Sequence, residues 1–356
     1  MPKRLTLKQV AEVLQVSTAT VSNAFNRPDQ LSANLRESIL KRCRELGYHG
    51  PSLAARSLRR GESNVIAVML ADSLSYNFSD PVANQFLQGV ADILEVHNKQ
   101  LLLLSSDADS LQQSSAESLP DGIIFYGTPH KEIFERILAT GKPAIAVDFE
   151  QDRLASVNVD NFSAARQAAE HLFSQGIRHI AVMGLRLVES RRVCRLVEAD
   201  LHAPSTEISS RRLQGYLAAA EAAGVSLSAE QIWHIPLNKE EVARQAIREA
   251  LTSQPRPQAL LCMSDVIALC AEQQARELGI CVPDELKIVG FDDIPQASQA
   301  AVPLTTVCQQ SREKGRLAAK RLLDGDLSGE LLLETRLVVR GSSVQAGSSA
   351  TSQSIS

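Results

Sequence analysis

Thr18-Ala19-Thr20-Val21-Ser22-Asn23 is a run of small and polar side chains suited to reading DNA. An Asn bonds the adenine edge bidentately, and the methyls of Thr and Ala suit the thymine methyl. Thr18, Ala19 and Asn23 would point outward from a short helix, and Val21 and Phe25 inward. Ser17, Thr20, Ser22 and Asn26 fit phosphate contacts. Farther on, Ala55, Arg56, Leu58 and Arg59 stand in a second short helical pattern. There Leu58 is an apolar side chain among arginines, which suits a wedge in a minor groove, and the small Ala residues would let two copies approach closely. Taken alone, this second pattern reads rather as a plain interdomain linker.

Other chemistry is poorly represented. The chain contains no Gly-rich phosphate loop, no nucleophile elbow and no HExxH. Its seven His (His49, His97, His130, His171, His179, His202, His234) are dispersed. Its six Cys (Cys43, Cys194, Cys262, Cys270, Cys281, Cys308) include no CxxC pair. Catalysis, a metal site, a cofactor and a disulfide framework are therefore not expected.

The elements around the first run read as a helix-turn-helix. Thr6-Leu7-Lys8-Gln9 is a capping box, with Thr6 at the N-cap. Val10, Ala11 and Leu14 then share one helical face. Gln15-Val16 makes a tight turn, and Ser17 caps the second helix. Ser32 is expected to cap a third, with Leu35, Ile39, Leu40, Cys43 and Leu46 as its apolar stripe and Gly47 at its end. From Asn64 the texture changes. Apolar runs at 65–70, 101–104, 122–126, 144–147, 179–183, 259–263 and 287–290 alternate with amphipathic patterns at 80–97, 163–174, 210–223, 240–251, 265–278 and 312–323. That alternation predicts parallel sheets covered on both faces, with ligands at the carboxyl ends of the strands. No internal repeat is legible.

Charge divides along the same line. Residues 1–61 carry 11 Lys and Arg against 4 Asp and Glu, net +7, whereas the remainder carries 26 against 37, net −11. A basic head on an acidic body suits a head that meets a polyanion. The 356 residues suffice for two or three domains, and 44% hydrophobic content supports a buried core. No run approaches about 18 apolar residues, and the first residues contain no signal-peptide pattern. A cytoplasmic protein without membrane association is expected.

At Leu5-Thr6-Leu7-Lys8-Gln9-Val10-Ala11 and Val16-Ser17-Thr18-Ala19-Thr20-Val21-Ser22-Asn23 the chain resembles the DNA-binding head of the lactose-repressor/galactose-repressor family. Leu46-Gly47-Tyr48 and Ala55-Arg56-Ser57-Leu58 continue the likeness. So do Asp121-Gly122-Ile123-Ile124, the stretch 143–148, Val159-Asp160-Asn161, Gly176-Ile177-Arg178-His179-Ile180, Ser264-Asp265, Gly290-Phe291-Asp292-Asp293 and Pro303-Leu304-Thr305-Thr306. The resemblance covers nearly the whole chain up to Gly341. It implies a helix-turn-helix head and hinge helix joined to a periplasmic-binding-protein-like α/β body of two parallel-sheet subdomains. The boundaries expected are 1–50 for the head, 51–62 for the hinge and 63–341 for the body. Within the body, 63–161 with 293–327 would form one subdomain, and 162–292 with 328–341 the other. A disordered tail would occupy 342–356.

The same resemblance implies a homodimer on a pseudo-palindromic double-stranded operator. Leu58 would be the intercalating lever, flanked by Ala55 and Arg56. A small effector would bind between the subdomains and shift operator affinity by preferring one of two states. Asp148, Arg212 and Asp292 match the family's pocket positions, and Ser264 and Asp265 follow a strand at its carboxyl end. An arginine opposite carboxylates clamps a hydroxylated ligand. Asp72, Tyr76 and Phe78, in the loop after the first body strand, are further candidates, with rings that either stack on a sugar or base or simply pack.

Three departures bear on the ligand. Leu237-Asn238-Lys239 stands where the family often supplies an aromatic stacker, with the sole Trp, Trp233, a few residues earlier. The segment 185–209 is longer and more charged than the usual turn, and 105–119 is shorter. A repressor controlled by a sugar, sugar derivative or nucleoside is the leading expectation. A solute-binding receptor or an enzyme on the same α/β body are the alternatives.

Overall fold

The structure, a computed structural model, describes residues 5–48, 50, 62–106, 120–149, 151–201 and 207–344. Ala55, Arg56, Leu58 and Arg59, with nearly all of the expected hinge, lie outside them. The described chain divides into two compact units, which are taken separately below.

The first unit is built on three helices, Leu7–Leu14, Thr18–Asn26 and Ala33–Glu45. The Thr6–Gln9 capping box is present, and Gln15 turns the chain with a left-handed backbone, φ 54°. Ser17 accepts from the Thr20 amide at 2.9 Å and so caps the second helix. Such a cap contributes roughly 0.5–2 kcal/mol. Val10, Ala11, Leu14, Val21, Ala24, Ile39, Cys43 and Tyr48 form the core, and Phe25 packs edge-on against Tyr48. Arg36 Nε donates to the Ala24 carbonyl at 3.0 Å, tying the third helix to the second. Two expectations are corrected here. Ser32 holds the N-cap position without making a cap bond. Leu35 is 42% exposed because it stands in the first turn of its helix, one turn before the core begins at Ile39.

The second unit contains two sheets. Its strands in chain order are β1 (Val65–Leu70), β2 (Gln100–Ser105), β3 (Gly122–Tyr126), β4 (Ala144–Val147) and β5 (Ala155–Val159). Then come β6 (Ile180–Leu185), β7 (Cys194–Arg195), β8 (Ile232–Ile235), β9 (Ala259–Cys262), β10 (Lys287–Asp292), β11 (Thr305–Cys308), β12 (Glu330–Leu333) and β13 (Arg336–Val338). The first sheet runs β12-β5-β4-β3-β1-β2, and the second β13-β11-β10-β9-β6-β8-β7. Thus the order β2-β1-β3-β4-β5 recurs as β8-β6-β9-β10-β11. Two copies of one doubly wound topology stand side by side with no legible repeat in sequence. Central strands such as β3, β4 and β9 are buried along nearly their whole length, as parallel strands covered on both faces must be.

Each sheet is covered by a pair of helices in glycine-mediated contact. In the first, Pro81–Val96 lies against Ser311–Asp324. A Cβ on Gly89 would stand 1.9 Å from the Arg312 carbonyl oxygen, and one on Gly315 2.1 Å from that of Phe86. In the second, Asn161–Phe173 lies against Ile208–Ala222, where a Cβ on Gly215 would stand 2.3 Å from the Phe162 carbonyl oxygen.

The sheets divide the chain differently from the expected boundaries. β11 belongs to the second sheet, and β12 pairs in parallel with β5 of the first. The chain therefore changes sheets after β5, between β11 and the Ser311–Asp324 helix, and between β12 and β13. The expected division instead placed 293–327 wholly with the first subdomain and 328–341 wholly with the second. Short edge strands escape periodicity, because they have too few residues to set a pattern. Ser342 and Ser343, expected in the disordered tail, are fully buried, and the Ser342 hydroxyl donates to the Ile288 carbonyl.

Candidate functional site

The carboxyl ends of both sheets face one cleft of about 470 Å³, within the range of small-molecule sites. The loops after β1, β3 and β4 supply Asp72, Thr128 and Asp148 from one side. From the other, Arg186, Asn238 and Ser264 follow β6, β8 and β9, and Asp292 ends β10. This is where an open α/β sheet places ligands, since helix N-termini and free loop backbone converge there.

The floor is a continuous polar relay. Lys314, on the Ser311–Asp324 helix and fully buried, donates to both carboxylate oxygens of Asp148 at 2.7 Å. It also donates to Gln309 Oε1 at 2.8 Å. Gln309 Nε2 in turn donates to Asp292 Oδ1 at 2.6 Å. Arg212 Nη1 lies 3.8 Å from the same oxygen. The relay joins the first sheet's Asp148 to the second sheet's Asp292 through Gln309, the residue at which the chain changes sheets. Burial pushes the Asp292 carboxyl up to about 7, against the opposing pull of Arg212.

Arg212 is held from three sides. Its Nε donates to Asn161 Oδ1 at 2.9 Å, its Nη1 to the Met263 carbonyl at 2.7 Å, and its guanidinium lies 3.6 Å from the centre of the Phe291 ring. Among the described residues Nη2 has no hydrogen-bond partner, so the planar fork keeps a donor edge for a ligand. Ser264 caps the Asp265–Glu277 helix by accepting from the Ile267 amide and donates to Asn238 Oδ1. Asn238 therefore stands at the cleft as an amide, where an aromatic stacker is usual in the resembled family.

Around the mouth lie Asp72, Tyr76 and Asp80, with Arg186 and Glu207 opposite. Arg186 Nη1 donates to Asp72 Oδ2 at 3.0 Å. Burial raises the Tyr76 hydroxyl, and Asp80 adds to the effect. Burial also raises the Asp80 carboxyl. Asp148, Arg186 and Asp292 all have positive φ, a cluster of backbone strain in one cleft.

Of the eight effector candidates, Asp72, Tyr76, Asp148, Arg212, Ser264 and Asp292 line the cleft together. Phe78 and Asp265 do not. Phe78 is 60% exposed, because the Leu74–Ser79 helix turns it outward. Asp265 is fully buried behind the floor, where Thr306 Oγ1 and the Ile294 amide donate to it. It meets Gly290 so closely that a Cβ there would stand 2.2 Å from its Oδ1. Sequence reasoning missed Asp80, Arg186, Gln309 and Lys314. The unusual charge of 185–209 was the one signal that pointed to Arg186.

In the three-helix unit, Thr18 and Ala19 are exposed on the first turn of the second helix. Ser17 Oγ and Thr20 Oγ1 bond each other at 2.8 Å. Asn23 Nδ2 donates to Gln30 Oε1 at 3.0 Å, and Asn26 Nδ2 to the Ser22 carbonyl at 3.0 Å. Thr6 is engaged in its capping box. Thr18 and Ala19 thus offer an exposed face, while Asn23 is engaged by Gln30. Among the described residues no helix is long and apolar enough to cross a membrane, and no three His, Cys, Asp or Glu cluster around a metal position.

Comparison with known proteins agrees with both units. Residues 6–51 match the model of bacterial regulatory proteins of the lacI family, and 169–343 that of a periplasmic binding protein-like domain. An HTH-type transcriptional regulator of Mycobacterium tuberculosis is 37% identical, over 93% of this chain and 94% of its own length. The HTH-type transcriptional repressor CytR of Escherichia coli is 30% identical, over 95% and 96%. Among solved structures, a lacI-family regulator from Corynebacterium glutamicum superposes with a TM-score of 0.70 at 28% identity, over 95% and 98% of the two chains. The regulator CelR in complex with cellobiose gives 0.67 at 26%, over 95% and 100%.

Proposed function

Because the chain belongs to the lacI family of bacterial regulatory proteins and is a DNA-binding transcription regulator, we propose that it is a cytoplasmic repressor released from or held on its operator by a small hydroxylated effector. The Thr18–Asn26 helix reads base edges in the major groove. As a homodimer it meets a pseudo-palindromic site, with residues 51–62 pairing in the minor groove and Leu58 wedged at the centre.

The observation that carries the effector reading is Arg212. Its donor edge is held open over Phe291, beside Asp292 and across from Asp148, at the carboxyl ends of both sheets. Carboxylates and a planar donor fork together suit vicinal hydroxyls. A sugar, sugar derivative or nucleoside fits that pattern. The cellobiose complex of a similar regulator supports the sugar class, and the repressor name of CytR supports repression. The polar relay through Gln309 supports coupling, since a ligand on Asp148 or Asp292 acts directly on a segment where the chain changes sheets.

Selection of bound sequences from random duplex DNA by the purified full-length protein tests this. A recovered palindrome with a flexible central step is expected, with affinity that falls steeply with salt. Target genes next to such sites then nominate effectors. Absence of enrichment both for the protein alone and with sugars and nucleosides added overturns the reading in favour of a receptor built on the same body.

A further inference from the structure

We propose that Arg186 is a latch across the mouth of the cleft, and that His234 is the positioning residue that holds it there. The proposal rests on the reading of this cleft as the effector site, and it concerns how the cleft opens. Arg186 follows β6 in the second sheet, and Asp72 follows β1 in the first. Their 3.0 Å ion pair therefore spans the two halves of the body at the rim. The guanidinium also stands 5.3 Å from the centre of the Tyr76 ring, a cation–π contact with the same side of the cleft. Two further polar contacts face each other across the mouth: the Asn238 backbone hydrogen-bonds the Tyr76 hydroxyl, and Thr128 Oγ1 stands a long 3.5 Å from Glu207.

Both ends of the latch are anchored. On the Asp72 side, Asn77 Nδ2 and Ser105 Oγ donate to the Asp72 carbonyl, each at 3.1 Å. On the Arg186 side, the backbone has φ 52° and its amide donates to the Ile235 carbonyl at 2.9 Å. The following turn is wrapped around His234, which is 1% exposed. His234 Nδ1 accepts from the Leu187 amide at 3.0 Å and the Val188 amide at 3.3 Å. Its Nε2 is left to donate to the Ser190 carbonyl at 2.9 Å. Two amides on one nitrogen and a carbonyl on the other require the neutral ring with its proton on Nε2. Leu187 seals the turn from beneath, since a Cβ on Gly184 would stand 2.2 Å from its Cδ1.

The pair itself is half-exposed, at 40% and 35%. Water can replace it, so it biases the cleft toward closure by about three-fold rather than locking it. A ligand that enters must part Arg186 from Asp72, and closure over the ligand re-forms the pair. The floor relay, by contrast, is buried and stays made while the rim opens.

Distance measurement between paired spin labels on the full-length protein, without ligand, tests this. A keto-bearing amino acid at Glu132 and at Glu241, both exposed and on opposite halves, carries the nitroxides and leaves the native cysteines untouched. Arg186→Gln and Asp72→Asn are each expected to lower the ratio of short-distance to long-distance population about three-fold, and the two together no further. Arg186→Asp with Asp72→Arg is expected to restore it. His234→Phe is expected to act like Arg186→Gln and to add nothing in that background. Should His234→Phe fail to fold, the charge exchange still decides the latch. Unchanged distributions in the single variants, or an exchanged pair as open as either single variant, overturn the proposal. Neither result touches the effector reading, which a ligand-free distance does not measure.

Discussion

The ammonium of Lys314 lies 2.7 Å from both carboxylate oxygens of Asp148, and Lys314 is fully buried. Lys314 makes its hydrogen bonds to Asp148 and to Gln309 Oε1 inside the body, so Asp148 has this cation as its close partner. Lys314→Met removes the cation and leaves Asp148 11% exposed without its counter-charge. Denaturant unfolding is expected to lose about 3–5 kcal/mol. Adding Asp148→Leu is expected to recover most of that loss, because the desolvated charge is then gone. A Lys314→Met protein as stable as the parent would mean that Asp148 finds water or another partner.

Asp292 titrates near 7 in the folded protein, well above its ordinary 3.8, because it is buried. The folded state therefore keeps this proton over a range in which the unfolded chain has lost it. Stability from Asp292 is fully present below about pH 4 and is lost as pH rises toward 7. Asp292→Asn is expected to flatten the dependence of the urea midpoint on pH between 5 and 8. An unaltered slope would assign that dependence elsewhere, with buried Asp265, which is raised by the same cause, the first place to look.

Arg212→Ala is expected to abolish effector-driven change in operator affinity while operator binding itself survives. Fluorescence anisotropy with labelled operator, with and without the effector nominated by the target genes, measures both. A melting curve on the same sample separates lost response from lost fold. A normal response would remove Arg212 from the ligand site.

Gly315→Ala is expected to destabilise the body by roughly 1–3 kcal/mol, despite the higher helix propensity of Ala. Its methyl would meet the Phe86 carbonyl, a backbone atom that cannot rotate away. Gly141→Ala is a comparison at a helix end, where the strain comes from φ 68° and no atom lies within 4 Å. Equal losses at both positions would argue against close helix approach as the cause at Gly315.

Asn23→Ala is expected to weaken binding to the selected operator by about 1–3 kcal/mol and to leave non-specific binding and its salt slope nearly unchanged. Competition titrations at several salt concentrations check this. Equal loss on all sequences would move Asn23 from base reading to backbone contact.

Much of this protein was legible in one dimension, for a physical reason. The capping box at Thr6, the cap at Ser17 and the apolar face of Val10, Ala11 and Leu14 act within one or two helical turns, so local spacing specifies them. The unbroken apolar runs of β1, β3, β4 and β9 read as strands because a sheet covered on both faces buries every residue of such a run. The basic head and acidic body follow from counting. Strand ends fall at Asp72, Asp148, Ser264 and Asp292, and parallel topology brings all strand ends to one edge. Those residues could therefore be named before their distances were known.

The tertiary structure alone decided what depends on distant partners. Gln309 and Lys314 had no local signature, since their roles arise from Asp292 and from an aspartate 166 positions away. The same holds for Arg186, which becomes a rim residue only because Asp72 faces it across 114 positions. Asp265 and Ser264 are neighbours, yet one lies behind the floor and the other lines the cleft, a matter of helix orientation. Phe78 had the right chemistry and the wrong direction. The places where the chain changes sheets were misjudged because β11, β12 and β13 are short and open on polar residues, Thr305, Glu330 and Arg336, so no apolar run marks them. Such strands are assigned by the ladder they join, and ladder membership is a long-range hydrogen-bonding fact that no window of sequence contains.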